Sequence, residues 1–314
     1  MATVPAADAF VPGSSDPLPG DQSRARYPHT AGFAESHGGR VAYEVYGEGE
    51  PALMFVPPWQ IVHSRIWKAQ IPDFARRHRV IAWDARGNGR SDRPTDPEVH
   101  GTRARAEDLL AVLDATSTER AILVSLSSGA GPSVVVSAEA AERVIGAVFV
   151  APSVPIGPRN PDRNAPFEDP LPDASGWRKE NLHFWRRDFR AYLEFFFGQA
   201  ANEPHSTKQV EDGVDYGLAT DLETLAATVR APASYTEDEF RRACASISCP
   251  CLVIQGTNDM ISGVSHGTRL AEAIPGAELV LLEGAGHLPN ARDPIVVNLL
   301  IRDFVRSVPG GVPR

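Results

Sequence analysis

Cysteine is scarce: three in 314 residues, Cys244, Cys249 and Cys251, all in one short stretch. A disulfide framework needs more of them, and a thiolate zinc site needs a second ligand pair at suitable spacing. The three are read instead as small apolar side chains beside a strand, in a reducing compartment. Basic residues are also in deficit, 31 Lys and Arg against 40 Asp and Glu, for a formal net charge of −9. Such a surface repels phosphate backbones, and no basic stripe with interleaved aromatics offsets it, which argues against a nucleic-acid partner. No apolar run approaches the roughly 18 to 20 residues of a membrane span. The first residues lack the basic-then-apolar pattern of a secretory signal. Residues 1–28 are rich in Ala, Pro, Gly, Ser and Asp and read as a disordered leader. These absences together lead us to expect a soluble cytoplasmic protein, monomer or homodimer, whose partner is a small molecule.

What is present is a globular composition, 42% apolar and 23% charged. Residues 41–46 partly alternate, residues 47–50 make a polar turn, and residues 52–56 form a continuous apolar run. That run suits a strand buried on both faces, and the pair 41–46 and 52–56 looks like a hairpin. Helical spacing is expected over 67–77, 102–115 and 131–143, with buried strands at 80–83, 121–124 and 144–150. Strands separated by helices imply right-handed crossovers and a largely parallel sheet. The rhythm breaks over 153–245, which is Pro-rich and then helical and aromatic, and it resumes with strands at 251–255 and 279–282 and a closing helix at 294–305. One α/β core, 29–152 with 246–314, interrupted by a helical cap at 153–245, is the simplest organisation.

The sharpest local feature is Val124-Ser125-Leu126-Ser127-Ser128-Gly129-Ala130-Gly131, between a buried strand and a helix of small residues. A turn this tight strains its central residue, needs small neighbours, and lifts the Ser127 hydroxyl above the sheet edge. It approximates G-x-S-x-G, with Ser125 in place of the first Gly. The plainer alternative is that Ser127 and Ser128 cap the helix. A serine hydroxyl needs a base within hydrogen-bond reach. Asp259 follows the strand at 251–255, and His287 follows the strand at 279–282, giving the chain order Ser, Asp, His. Each alone is compatible with an ordinary turn residue, but each sits just after a buried strand, where a parallel sheet gathers its sites. His63, His183, His205 and His266 lack that setting.

With these motifs, and with the loop Asp84-Ala85-Arg86-Gly87-Asn88-Gly89-Arg90-Ser91-Asp92 similar to D-x-R-G-x-G-x-S, the chain resembles the alpha/beta-hydrolase superfamily from about residue 31 to 307. The resemblance implies Ser127 as nucleophile, His287 as general base, Asp259 as its orienting carboxylate, and a lid over the site. It also implies an oxyanion hole of two backbone amides, that of Ser128 and one after the strand ending at Val56. There the family usually reads H-G-x, whereas this chain has Pro57-Pro58-Trp59-Gln60. Prolines have no N–H, so the second donor falls to Trp59, with Gln60 next. A serine in place of a carboxylate nucleophile points to carbonyl attack: ester, lactone or thioester hydrolysis, or C–C cleavage. A cyclase or lyase, and a non-catalytic ligand-binding module, are the competing readings. No ligand cluster suggests a metal, and none is required, nor any cofactor. The aromatics Trp177, Trp185, Tyr192, Phe195, Phe196 and Phe197 suit a lid core and an apolar pocket. Trp59, Gln60, Trp185, Phe196 and His205 are the candidate substrate contacts.

Overall fold

The computed structural model describes residues 24–308 except Arg159, so residues 1–23 of the expected leader lie outside the described residues. The elements run β1 Thr30–Ser36, β2 Gly39–Tyr46, β3 Leu53–Val56, α1 Ile71–Phe74, β4 Val80–Trp83, α2 Thr102–Ala115, β5 Ala121–Leu126, α3 Ala130–Glu139 and β6 Val144–Val150. Four helices follow, α4 Leu182–Ala200, α5 Thr207–Leu218, α6 Leu222–Arg230 and α7 Glu237–Ser246. The chain ends with β7 Cys251–Gly256, α8 Val264–Ala273, β8 Glu278–Leu282, α9 Pro289–Arg292 and α10 Pro294–Ser307.

The eight strands form one sheet in the order β1-β2-β4-β3-β5-β6-β7-β8. Pairing is parallel from β4 to β8 and antiparallel only at β1–β2 and β2–β4. Alternate residues of the central strands face opposite ways. Leu53, Phe55, Ile122 and Val124 pack with Phe74 of α1 and with Val297 and Ile301 of α10. Met54, Val56, Ile81 and Leu123 pack with Leu109, Val112 and Leu113 of α2. α7 lies on that second side too: its Phe240 and Cys244 join Val134 of α3 and Leu270 of α8 in one buried cluster.

Two local expectations need correction. The hairpin is β1–β2, closed at His37 and Gly38, both at positive φ, and β3 does not pair with β2. All four residues of β3 are buried, so the strand crosses into the parallel centre between β4 and β5, while the less regular residues 30–36 take the edge. The helix expected at 67–77 shrinks to two single turns, Ser64–Trp67 and α1, where Pro72 supplies no donor to continue a helix backward. Of the cysteines, Cys244 and Cys251 are buried and Cys249 half-buried, all as free thiols.

Candidate active site

Ser127 follows directly on β5 at φ +53°, in the left-handed region that non-glycine residues seldom occupy. Its turn is closely packed. A Cβ on Gly129 would stand 2.7 Å from the Pro57 carbonyl oxygen and 3.1 Å from that of Val56, so the strand-end segment after β3 lies directly against it. Ser125, in place of the usual glycine, is buried and donates its hydroxyl to the Val148 carbonyl at 3.1 Å. The serine is accommodated because β6 offers it an acceptor.

The structure brings the three expected side chains together. His287 Nε2 lies 2.9 Å from Ser127 Oγ, and His287 Nδ1 lies 2.8 Å from Asp259 Oδ2. All three are buried. Asp259 accepts three further bonds, from the Ile261 and Ser262 amides at Oδ1 (2.8 and 3.0 Å) and from Gln255 Nε2 at Oδ2 (3.0 Å). Burial works to raise its pKa, but the electrostatic pull of the His287 ring and these hydrogen bonds outweigh it and hold the carboxyl at about 2. With the carboxylate ionised and able only to accept, Nδ1 carries the proton and Nε2 is left to accept from the serine hydroxyl.

The His287 loop is tied on two sides. The His287 amide donates to the Ala200 carbonyl at the end of α4 (3.0 Å), and the Gly286 amide to the Glu203 carboxylate (2.7 Å). On the other side, the Asn258 amide donates to the Ala285 carbonyl (3.0 Å).

Of the candidate substrate contacts, three form one aromatic group. Trp59 meets Phe196 edge-on at 5.6 Å and Trp185 at 6.4 Å, and its Nε1 donates to Thr228 Oγ1 of α6 at 2.7 Å. Gln60 is buried, its carbonyl held by Asn88 Nδ2 at 2.8 Å. His205 is not brought here: it stands exposed at φ +64° in the turn between α4 and α5, whose polar sequence keeps it at the surface. Lys208, in the same polar run, pairs with Asp212 at 2.8 Å. A cavity of about 490 Å³ shares Ser153 and Ile261 with the site's surroundings, and Trp177, Arg163 and Glu180 line its far side. Neither it nor an outlying cavity of about 560 Å³ near Lys208 is lined by Ser127 or His287, and both of these side chains are buried. Among the described residues no group of three His, Cys, Asp or Glu side chains is arranged for a metal. No helix among them is long and apolar enough to cross a membrane.

Reading residue by residue overlooked Arg105, Ser153 and Thr228. Only Arg105 left a trace in the sequence: it stands four residues before Leu109 and seven before Val112, on the face of α2 that packs inward.

A model of the alpha/beta hydrolase family matches residues 36–298. The chain belongs to this family. It is similar to a putative carbamate hydrolase RutD from Variovorax paradoxus, 26% identical over 86% of this chain and 98% of that one. Among solved structures it is similar to the esterase RhEst1 from Rhodococcus sp. ECU1013, with 26% identity, a TM-score of 0.74, and coverage of 89% of this chain and 99% of that one. It is also similar to Est816, an N-acyl homoserine lactone degrading enzyme, with 25% identity, a TM-score of 0.71, and coverage of 87% and 100%. An enzyme of the alpha/beta hydrolase type accounts for both the sheet and the grouping of the three side chains at its edge.

Proposed function

We propose that this chain is a serine hydrolase that cleaves a carboxylic ester, lactone or thioester of a small to medium organic substrate through an acyl-enzyme on Ser127. One observation carries the reading: a serine held at φ +53° whose Oγ is 2.9 Å from an imidazole that is in turn 2.8 Å from a buried carboxylate. Names given to similar proteins, an esterase, a lactone degrading enzyme and a putative carbamate hydrolase, lend support, since all describe cleavage at an acyl carbon.

In this reading Ser127 Oγ attacks the substrate carbonyl while its proton passes to His287 Nε2. Asp259 holds the ring orientation and offsets the imidazolium charge. The tetrahedral oxyanion lies between the amides of Ser128 and Trp59, a reading supported by the close approach of the Gly129 turn to the Pro57 carbonyl. Collapse expels the alcohol or thiol, which takes the proton from His287. Water then gives a proton to His287, attacks the acyl carbon, and releases the acid with Ser127 restored. Helices α4 to α6 act as the lid, and Trp59, Trp185 and Phe196 line the acyl side. Gln60 is assigned to the wall behind Trp59.

The test is p-nitrophenyl ester turnover across acyl lengths, for wild type and Ser127→Ala in parallel. The wild type is expected to turn over short or medium esters, and the variant to lose on the order of 10³- to 10⁶-fold in kcat. A wild type that is inert on every ester and takes up no fluorophosphonate at Ser127 would overturn the reading. Product formation without incorporation of solvent oxygen would move the chemistry to a cyclase or lyase.

A further inference from the structure

Arg105 is a buried arginine, 6% exposed, on α2, and among the described residues no carboxylate bonds to it. Asp108, three residues along the helix, spends its oxygens on Arg86 and reaches Arg105 only through its charge. Burial pushes the Arg105 guanidinium down to about 10, which still leaves it a cation at neutral pH. Sequestering a cation with no carboxylate bonded to it costs stability, and such a cost at a site edge calls for a role.

Its donors go to the two segments that flank Ser127. Nη2 donates to the Pro57 and Pro58 carbonyls, both at 2.9 Å, and Nη1 to the Ser128 carbonyl at 3.3 Å and hydroxyl at 3.2 Å. The Pro58 carbonyl belongs to the same peptide unit as the Trp59 N–H. A trans peptide is planar, with its C=O and N–H pointing in opposite directions, so holding the oxygen aims the N–H. The Ser127–Ser128 peptide is held likewise: its oxygen accepts from the Ser153 amide at 3.0 Å, which aims the Ser128 N–H. Two successive prolines have no N–H with which to anchor themselves, so an outside donor is needed to fix this segment. A cation on the Pro58 oxygen also polarises that peptide and strengthens its N–H as a donor.

We infer that Arg105 is a positioning residue that builds the oxyanion hole, aiming and polarising the Trp59 amide through the Pro58 carbonyl and clamping that segment to Ser128. The inference rests on the hydrolase reading above and adds the part that the Pro57-Pro58 pair cannot supply for itself.

The experiment compares wild type, Arg105→Gln and Arg105→Lys on a p-nitrophenyl ester, with inhibition by an aryl trifluoromethyl ketone, whose serine adduct carries the oxyanion. Expected for Arg105→Gln is a fall in kcat of about 10- to 100-fold with KM within about twofold, because a misaimed donor forfeits part of what losing it outright would cost. The ketone should bind more weakly by the same factor as kcat/KM falls. Arg105→Lys, which keeps the charge but not the fork, should fall in between. A merely structural arginine would weaken substrate and ketone alike, or leave kcat unchanged, and either result overturns the inference. Should Arg105→Gln not fold, Arg105→Lys is read in its place; failure of both to fold makes Arg105 structural and also overturns it. A wild type with neither ester turnover nor phosphonate labelling overturns the hydrolase reading itself, a result separable from any defect confined to Arg105.

Discussion

At the scale of the residue, Asp259 has more side-chain bonds to lose than Ser127 or His287. Four donors converge on its two oxygens: the His287 ring, the Gln255 amide group and the backbone amides of Ile261 and Ser262. Asp259→Asn keeps the shape but can itself donate, which favours the tautomer with the proton on Nε2. We expect kcat to fall by about 10⁴-fold, with substrate binding little changed, in steady-state kinetics. The same carboxyl makes stability depend on pH. Its folded pKa of about 2 lies below the ordinary carboxylate range, so its contribution is complete above that range and is lost as pH falls toward 2. Urea unfolding at pH 5 and pH 2 should show wild type losing about 2 kcal/mol more than Asp259→Asn over that interval. Equal losses would mean that the carboxylate is not preferentially stabilised in the fold. The identity of Asp259 was legible because it follows a buried apolar run and opens a polar turn. Its partner Gln255 was hidden, since a glutamine inside a strand carries no signature of what it faces.

At the scale of the element, the site depends on two strand ends meeting their neighbours without side chains between them. A Cβ on Gly256, the last residue of β7, would stand 2.2 Å from the Ala285 carbonyl oxygen and 2.5 Å from that of Gly286. Gly256→Ala must therefore push back the loop that delivers His287. The expected result is at least about a tenfold fall in kcat from misplacement of the base, with a stability loss of about 1 to 3 kcal/mol. Kinetics combined with thermal denaturation checks it, and unchanged kcat would show that the loop can yield without moving the imidazole. Elements with strong periodicity were readable to within a residue or two: α2 at Thr102–Ala115 and β6 at Val144–Val150 fall where the pattern puts them. The hairpin was not. Residues 41–46 could pair on either side, and only the burial of all of β3 decides that it leaves for the centre.

At the scale of the whole molecule, the helices between β6 and β7 and the sheet edge are held together from two directions. Polar ties run from Ala200 and Glu203 to the His287 loop, and an aromatic group joins Trp59 after β3 to Phe196 and Trp185 on α4. Phe196 also meets Trp177 and Phe197, so its ring is shared between the aromatic packing of α4 and the contact with Trp59. Phe196→Ala should lower stability by about 3 kcal/mol or more. If the ring bounds the acyl side, the substitution should also shift preference toward longer p-nitrophenyl esters. Measuring kcat/KM against chain length separates the two effects: destabilisation without a shift places Phe196 in the aromatic packing of α4 alone.

Legible in the sequence were the alternation of strands and helices and the order Ser127, Asp259, His287, although β8, expected to be buried, is half-exposed. Each of these is written locally, as periodicity or as a turn following an apolar run. Tertiary structure alone decided that His205 stays at the surface while Trp59, Trp185 and Phe196 meet, and that Arg105 reaches across 48 positions to Pro57. The physical reason is that periodicity encodes which side of an element is buried, but not what it is buried against. The direction in which a backbone N–H points is set by whatever holds the carbonyl of its own peptide, and at Pro58 that partner comes from a different element of the chain.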